Sequence, residues 1–177
     1  MSTRLPVFID PIQLVQAGIS LEGQVELAML ERLSAQLTDN SGMVQVSLKF
    51  DQEHQYKVVR GHLKTHLNLQ CQRCLESFDF PVEREIALGI VAGEEEARRL
   101  PDYLEPLLLT SSDMPLNDII EDELLLAIPL GQTHPQGECE IAYNETSLKS
   151  LAEAKQPSKS QQAFAVLSQL KHSKRKN

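Results

Sequence analysis

The 177-residue sequence predicts an α+β fold with an antiparallel β-meander at its core, a few short helices and a flexible C-terminal tail. The main observation is that three successive segments between residues 44 and 90 alternate apolar and polar side chains. This period of two is typical of strands with one buried and one solvated face. The second observation is that apolar residues recur at helical spacing only in short stretches outside these segments. Because short turns join the three segments, we expect them to pair as neighbours in an antiparallel sheet.

The N-terminal region is expected to contain a short strand, a short helix and a further strand. Residues 5–11 contain two prolines, which favours a position at the edge of a sheet. Residues 12–17 predict one or two helical turns that end at Gly18. Residues 19–27 alternate like a strand, and a run at helical spacing follows, made of Leu27, Leu30, Leu33 and Leu37.

The three central segments, over 44–50, 59–70 and 78–90, are predicted to be the longest strands. Arg84 is the one charged residue on the apolar face of the third strand. The alternation of the second strand changes parity at residues 58–59, which predicts a β-bulge there. One face of the sheet is expected to be buried and the other to be in contact with water.

The sequence predicts two helices and a strand after the third central segment. Residues 94–100 are expected to form a short helix, and residues 104–110 are expected to form a strand. Residues 111–113, with the sequence SSD, offer side chains that commonly cap the N-terminus of a helix. They precede an apolar stripe at helical spacing over 116–128, which ends at Pro129.

Length and composition predict one globular α+β domain over residues 1–145. Residues 146–177 are expected to comprise a weak helix, a low-complexity linker and a short basic docking segment. The longest apolar run, at 124–130, is far shorter than the roughly 20 residues that a bilayer span requires. The first residues lack the apolar stretch of a signal peptide, and three cysteines fit a reducing compartment. We therefore expect a cytoplasmic protein with no membrane partner.

The charged residues are distributed unevenly along a chain whose net charge is −8. Residues 94–123 hold ten acids and two arginines, whereas residues 54–75 contain no acid at all. The acid-free window carries the candidate RNA-binding residues, which are Lys57, Arg60, Lys64 and Arg73. Such a window can form a local basic surface that neutralises phosphates on an otherwise acidic protein. The alternative is an ordinary solvated strand face.

The strongest local motif is Cys71-x-x-Cys74, which lies between the second and third central strands. Two thiols in a tight turn are typical of zinc ribbons and knuckles, but a tetrahedral site needs four ligands. His134 and Cys139 would complete a Cys3His set if the later loop folds back onto the hairpin. The alternatives are a pair of thiols that bind no metal and a redox pair. A redox pair is disfavoured because the first cysteine of such a motif usually begins a helix.

No combination of residues in the sequence predicts an enzyme. The five histidines form no Ser/His/Asp or HExxH arrangement, and the eight glycines form no phosphate-binding loop. The acids of the predicted helix over 116–128 could hold a metal or receive a basic ribosomal protein. A simpler interpretation is that they form the solvated face of an amphipathic helix.

Four stretches, taken in order, resemble the bacterial YceD family, the large ribosomal RNA subunit accumulation proteins. Residues 67–75, with the sequence LNLQCQRCL, resemble the central signature of that family. The other three stretches are residues 5–11, 120–129 and 164–171. His134 and Cys139 also fall where some relatives carry a matching histidine and cysteine. Other branches of the family carry a second cysteine pair late in the chain, where this sequence has only Cys139.

The resemblance implies a non-enzymatic role in the synthesis, processing or stability of 23S ribosomal RNA. The implied partners are large-subunit ribosomal RNA or its precursor, with ribosomal proteins or assembly factors beside it. The cofactor is left open, with one structural zinc ion as the candidate. In a first hypothesis the protein contacts RNA through residues 54–75 and the basic tail. In a second hypothesis it is a protein–protein adaptor with a structural CxxC hairpin, which docks through residues 164–170 and reaches ribosomal RNA only indirectly.

Overall fold

The computed structural model describes residues 5–135 and 138–139. In chain order the elements are β1 (Phe8–Ile9), α1 (Pro11–Ala17), β2 (Ser20–Glu26), a 3-10 turn (Leu27–Met29), α2 (Glu31–Ser34), β3 (Met43–Glu53), β4 (Tyr56–Gln70), β5 (Ser77–Val91), α3 (Glu94–Ala97), β6 (Glu105–Leu108), β7 (Met114–Pro115) and α4 (Leu116–Ala127). The α+β class is thereby confirmed. The weak helix, linker and docking segment expected over 146–177 lie outside the described residues, so the division at residue 145 stays a prediction.

The main sheet has five strands in the order β2-β3-β4-β5-β6. Strands β2 to β5 pair antiparallel with their neighbours in sequence, which confirms the predicted meander. The long β4–β5 hairpin pairs from Val58 opposite Gly89 to Gln70 opposite Ser77. The predicted strand after the meander is also present as β6, and it runs parallel to β5. The first strand, β1, lies in a separate two-stranded sheet with β7, as its prolines suggested for an edge position.

The core lies on one face of the five-stranded sheet. Alternate residues of β3 and β4 point into it, and Phe50, Leu63 and Leu67 are fully buried there. They belong to the same apolar cluster as Leu116 and Ile120 of α4. Each fully buried side chain of this kind contributes roughly 1.5–3 kcal/mol relative to an exposed one. The opposite face of β3 and β4 consequently carries most of their polar side chains.

The predicted β-bulge at residues 58–59 is wrong. The register of β4 continues through Val58 and Val59 against both neighbouring strands, and both valines are fully buried. Val58 pairs with Gly89, where an added Cβ would lie only 2.7 Å from Cδ2 of Leu100. Leu100 therefore covers the otherwise solvated face at this end of the sheet. The change of parity in the sequence marks a place where the sheet is buried on both faces.

The predicted helices are present as α1, α3 and α4, and the structure departs from the prediction in the leucine run and at the start of α4. Asp10 Oδ1 accepts hydrogen bonds from the N–H groups of Ile12 and Gln13, each at 3.0 Å, and Gly18 ends the helix with φ of 60°. The leucine run over 27–37 is divided into a 3-10 turn and the four-residue α2. Residues 111–113 do not cap α4, because β7 intervenes and the helix starts without a side-chain cap.

Two buried carboxylates on α4 bind arginines from other elements. Glu121 accepts hydrogen bonds from Arg32 Nε at 2.7 Å and from the Leu33 N–H at 3.0 Å. Glu123 accepts from Arg84 Nε at 2.9 Å, which explains the single charge on the apolar face of β5. Because a buried charge is tolerated only when it is paired, these contacts fix α4 against α2 and against the sheet.

We expect Glu121→Ala to lower the free energy of unfolding by about 2–3 kcal/mol, because the buried Leu33 N–H loses its acceptor and Arg32 loses its shorter ion pair. The matched control is Asp122→Ala, which removes the neighbouring exposed partner of Arg32. The control should cost at most about 1 kcal/mol. Urea unfolding followed by circular dichroism measures both values. Equal losses in the two variants would mean that the contact with Leu33 contributes nothing.

Candidate metal centre and basic strand

The turn between β4 and β5 brings two thiols together. The Cys71 N–H donates to the Glu76 carbonyl and the Leu75 N–H donates to the Cys71 carbonyl, each at 2.9 Å. Leu75 takes the left-handed conformation, with φ of 66°, which closes the turn within few residues. The Arg73 N–H donates to Cys71 Sγ at 3.4 Å. This pattern of amide groups around a cysteine sulfur resembles a zinc knuckle in its local chemistry.

The loop that follows α4 folds back onto this turn. The Gln72 N–H donates to the Gln132 carbonyl at 2.8 Å, and its side-chain amide donates to the Leu130 carbonyl at 3.4 Å. The ring of His134 packs on Phe78, with the ring centroids 5.1 Å apart. These contacts carry His134 to the tip of the hairpin.

The structure brings together the four residues that the sequence singled out as metal ligands. One ligand atom from each of Cys71, Cys74, His134 and Cys139 lies within 4.8 Å of all the others. Cys71 Sγ is 3.8 Å from Cys139 Sγ, and Cys74 Sγ is 3.3 Å from His134 Nδ1. Tetrahedral zinc separates two sulfurs by about 3.8 Å and a sulfur from a nitrogen by about 3.5 Å. The donor types and their spacing therefore fit a zinc ion.

The pKa values of two thiols in this group, Cys71 and Cys139, are shifted in opposite directions. Burial raises the pKa of Cys71, but hydrogen bonds from the backbone N–H groups of Cys74, His134 and Arg73 outweigh burial and lower the pKa to about 5. Burial and the neighbouring sulfurs of Cys74 and Cys71 raise the pKa of Cys139 to about 11. The lowered pKa favours the thiolate of Cys71, which is the form that binds metals.

The four candidate RNA-binding residues occupy three different places. Arg60 and Lys64 share the solvated face of β4, since side chains four residues apart on a strand point the same way. Lys57 is an odd number of residues from both, so it lies on the other side of the strand, near the β3–β4 turn. Arg73 lies in the cysteine turn at the opposite end of β4. Of the four candidates, only Arg60 and Lys64 therefore lie on the same face of the sheet.

Acids from neighbouring strands contact Arg60 and two histidines of the solvated face. Arg60 donates to both carboxylate oxygens of Glu53, at 2.9 and 3.0 Å, and lies over the Tyr103 ring at 5.5 Å from its centroid. His66 Nδ1 lies 2.8 Å from Asp79, and a similar pair joins His62 and Glu83 at 3.2 Å. Among the residues that the structure describes, none of the ion pairs involves Lys57, Lys64 or Arg73.

The sequence did not predict that these acids lie beside β4, because the pattern of each strand was interpreted separately. The window over 54–75 contains no acid, but β3 and β5 supply acids to the surface on either side of it. The alternating acids Asp79, Glu83 and Glu85 of β5 were the available signal, since adjacent antiparallel strands place such residues beside the cations of β4.

Fold and site together define a class of small α+β protein. The tip of its β4–β5 hairpin carries a Cys3His group and an adjacent arginine. The described part of the chain contains no helix able to span a membrane. The family model described as "Large ribosomal RNA subunit accumulation protein YceD" matches residues 59–171. A relative of that name from Haemophilus influenzae is 34% identical over 172 residues, which cover 95% of this chain and 97% of the relative. No solved structure matches the chain.

The chain belongs to the YceD family of large ribosomal RNA subunit accumulation proteins. The resemblance that the sequence motifs suggested is thereby confirmed. The match to the relative extends over nearly the full length of both chains. The name of the family connects the fold with accumulation of the large ribosomal subunit.

Proposed function

We propose that this protein is a non-enzymatic ribosome-biogenesis factor that supports the synthesis, processing or stability of 23S ribosomal RNA in the cytoplasm. The observation that carries the proposal is the nearly full-length similarity to a large ribosomal RNA subunit accumulation protein. A binding role is preferred to catalysis because the sequence contains no recognised catalytic motif. Ribosomal proteins or other assembly factors act beside it as partners.

The proposed contact with RNA depends on the cations of β4 and of the cysteine turn. Lys57, Lys64 and Arg73 are exposed and have no carboxylate partner among the described residues. Such side chains can exchange water and counterions for phosphate oxygens without first breaking an ion pair. Arg60 would contribute only after giving up Glu53. Lys64 and Arg73 are therefore the principal contacts in this proposal.

The Cys3His group is proposed to hold one structural zinc ion. A zinc ion bound to Cys71, Cys74, His134 and Cys139 supplies strong bonds between residues far apart in sequence, and such bonds stabilise small folds. The residues themselves hold the loop after α4 against the β4–β5 turn. Arg73 lies between the two cysteines of that turn, so a fixed turn also restricts the position of a cation proposed to bind RNA.

The direct test is in-cell cross-linking of the tagged protein followed by sequencing of the attached RNA. The proposal expects a sharp enrichment on large-subunit ribosomal RNA relative to a tag-only control. No enrichment would favour the adaptor alternative, in which ribosomal RNA is reached through a protein partner. The ion pair of Arg60 with Glu53, and the contacts of Glu83 and Asp79 with His62 and His66, are the observation that keeps this alternative, because these acids lower the positive potential of the surface available to phosphates.

A pair of variants tests the contact residues. We expect Lys64→Gln with Arg73→Gln to weaken binding to 23S ribosomal RNA fragments and to lower the salt dependence by about 0.7–0.9 in log–log slope for each lost phosphate contact. The matched control is Arg98→Gln with Arg99→Gln, which removes the same charge from the acidic segment beside α3. Fluorescence anisotropy over a salt series measures both. Equal effects in the two double variants would exclude β4 and the cysteine turn as the specific surface.

A further inference from the structure

A groove lies between β6 and α4, remote in the sheet from the cysteine turn. It consists of two adjoining depressions of about 420 and 240 Å³, which share Pro106, Leu107 and Asp122 as lining residues. The α4 side is formed by residues 118, 119, 122, 123 and 126, which lie on one stripe of the helix. This stripe is about 12 Å long at 1.5 Å per residue. The groove is therefore long enough for about four residues of an extended segment.

Apolar side chains in the groove remain in contact with water. Leu126 of α4 is 68% exposed and Leu107 of β6, which lines both depressions, is only partly buried, although the core side of α4 is well packed with Ile119, Ile120 and Leu124. Leu126 thus contributes little to the core of the described unit. Exposed apolar residues that cluster in a concave surface with a polar rim are typical of interaction sites.

The rim of the groove is acidic. Five carboxylates line it and no lysine or arginine does, within the residues that the structure describes; the carboxylates are Glu105, Asp113, Asp118, Asp122 and Glu123. The nearby Arg84 binds Glu105 and Glu123, and Arg32 binds Asp122 together with Glu121. Six carboxylates therefore face two guanidinium groups, which leaves an excess of negative charge. Such a surface repels nucleic acid and attracts a cationic partner.

The outer edge of β6 makes side-chain docking more favourable than strand addition. Pro106 lies in this four-residue edge strand and has no N–H group to donate to an added strand. The specific chemistry of the groove is thus that of its side chains, which combine a leucine-rich floor with carboxylates above it. A matching ligand needs an apolar anchor and cations on both sides of the anchor.

We propose that the groove between β6 and α4 binds a short segment of a partner protein that is rich in lysine and arginine and carries a leucine-like anchor. The anchor packs on Leu107 and Leu126, and the cations pair with Asp113 and Asp118. Neither of these two aspartates takes part in an ion pair among the described residues. The inference does not depend on the proposed RNA contact, because it uses a different surface of opposite charge.

The test uses the full chain and a fluorescein-labelled peptide in which leucines are flanked by lysines and arginines. We expect Asp113→Asn with Asp118→Asn to weaken binding by about fivefold, and Leu126→Gln to weaken it by a similar factor. The control is Glu22→Gln with Glu85→Gln, which removes the same charge from exposed positions of β2 and β5 and should leave the affinity unchanged. An equal loss in this control would overturn the proposal.

A charge swap makes the test specific to the groove. Asp113→Lys with Asp118→Lys should bind a peptide in which glutamates replace the cations, whereas the wild-type chain should not. If this double variant remains folded by circular dichroism and does not bind the glutamate-containing peptide, the groove is not the binding site. Sedimentation of Leu126→Gln gives a further check, since a change in oligomeric state would identify a second copy of the chain as the occupant and overturn the proposed partner. The variant with Lys64→Gln and Arg73→Gln should bind the peptide normally, which separates this inference from the RNA contact.

Discussion

Replacing Gly61 by Ala is expected to lower the free energy of unfolding by about 3 kcal/mol, at the upper end of the range for overpacked sites. Gly61 lies in β4 at the centre of the sheet, opposite Leu48 of β3 and Ile86 of β5. An added Cβ would meet Leu48 Cδ2 and the carbonyl oxygen of Ser47, both far inside van der Waals contact. The leucine side chain can rotate, but the Ser47 carbonyl belongs to the backbone and moves only if β3 moves.

The control for this prediction is Gly131→Ala, where an added Cβ has no neighbour within 4 Å and the backbone needs no special conformation. This change should alter the stability by less than about 0.5 kcal/mol. Chemical unfolding monitored by circular dichroism compares both variants with the wild-type chain. If Gly61→Ala proved as stable as the control, β3 and β4 would not approach each other as closely as the structure shows.

The meander was predictable because each of its strands carries its own signal. Alternation over β3, β4 and β5 identifies the buried face from local residues alone, since successive side chains on a strand point to opposite faces. Arg84 was noticed as an exception, but its partner Glu123 lies on a helix that the chain reaches only 39 residues later. A sequence shows that a buried charge needs a partner, and it does not show which distant carboxylate supplies it.

The wrong prediction of a bulge also results from a contact between residues that are distant in the sequence. The sequence shows that apolar residues change parity at Val58 and Val59, and two structures are consistent with that pattern. One is an inserted residue, and the other is a strand buried on both faces. The choice depends on Leu100, which reaches Gly89 from beyond α3. Local periodicity contains no information about an element that covers a strand from outside the sheet.

The candidate site divides in a similar way between its two parts. The proximity of the four Cys3His residues was predictable because cysteines are rare in this chain and the set needed only one histidine from nearby. The basic surface was less predictable, because the charge of a sheet face belongs to several strands at once. Glu53, Asp79 and Glu83 change the potential around β4 without appearing in its sequence.

The second large effect is expected at the Cys3His group. The protein purified under reducing conditions should contain one zinc ion per chain, and His134→Asn should lose it, because asparagine cannot replace an imidazole nitrogen among three sulfurs. The matched control is His54→Asn, which changes a histidine in the β3–β4 turn at a positive φ that asparagine tolerates. Inductively coupled plasma mass spectrometry of both variants measures the metal content directly.

Loss of the metal should affect the cysteine turn more than the core. Structural zinc sites in isolated fingers bind with roughly 10–16 kcal/mol, but here the sheet and α4 form an apolar core that contains none of the four ligands. We therefore expect His134→Asn to keep the circular dichroism spectrum of the wild-type chain. Hydrogen exchange should accelerate at the Gln72 N–H, whose acceptor Gln132 lies in the loop that His134 anchors. A wild-type chain without zinc, or a His134→Asn variant that retains it at full occupancy, would show that hydrogen bonds and the packing of His134 on Phe78 hold this loop without a metal.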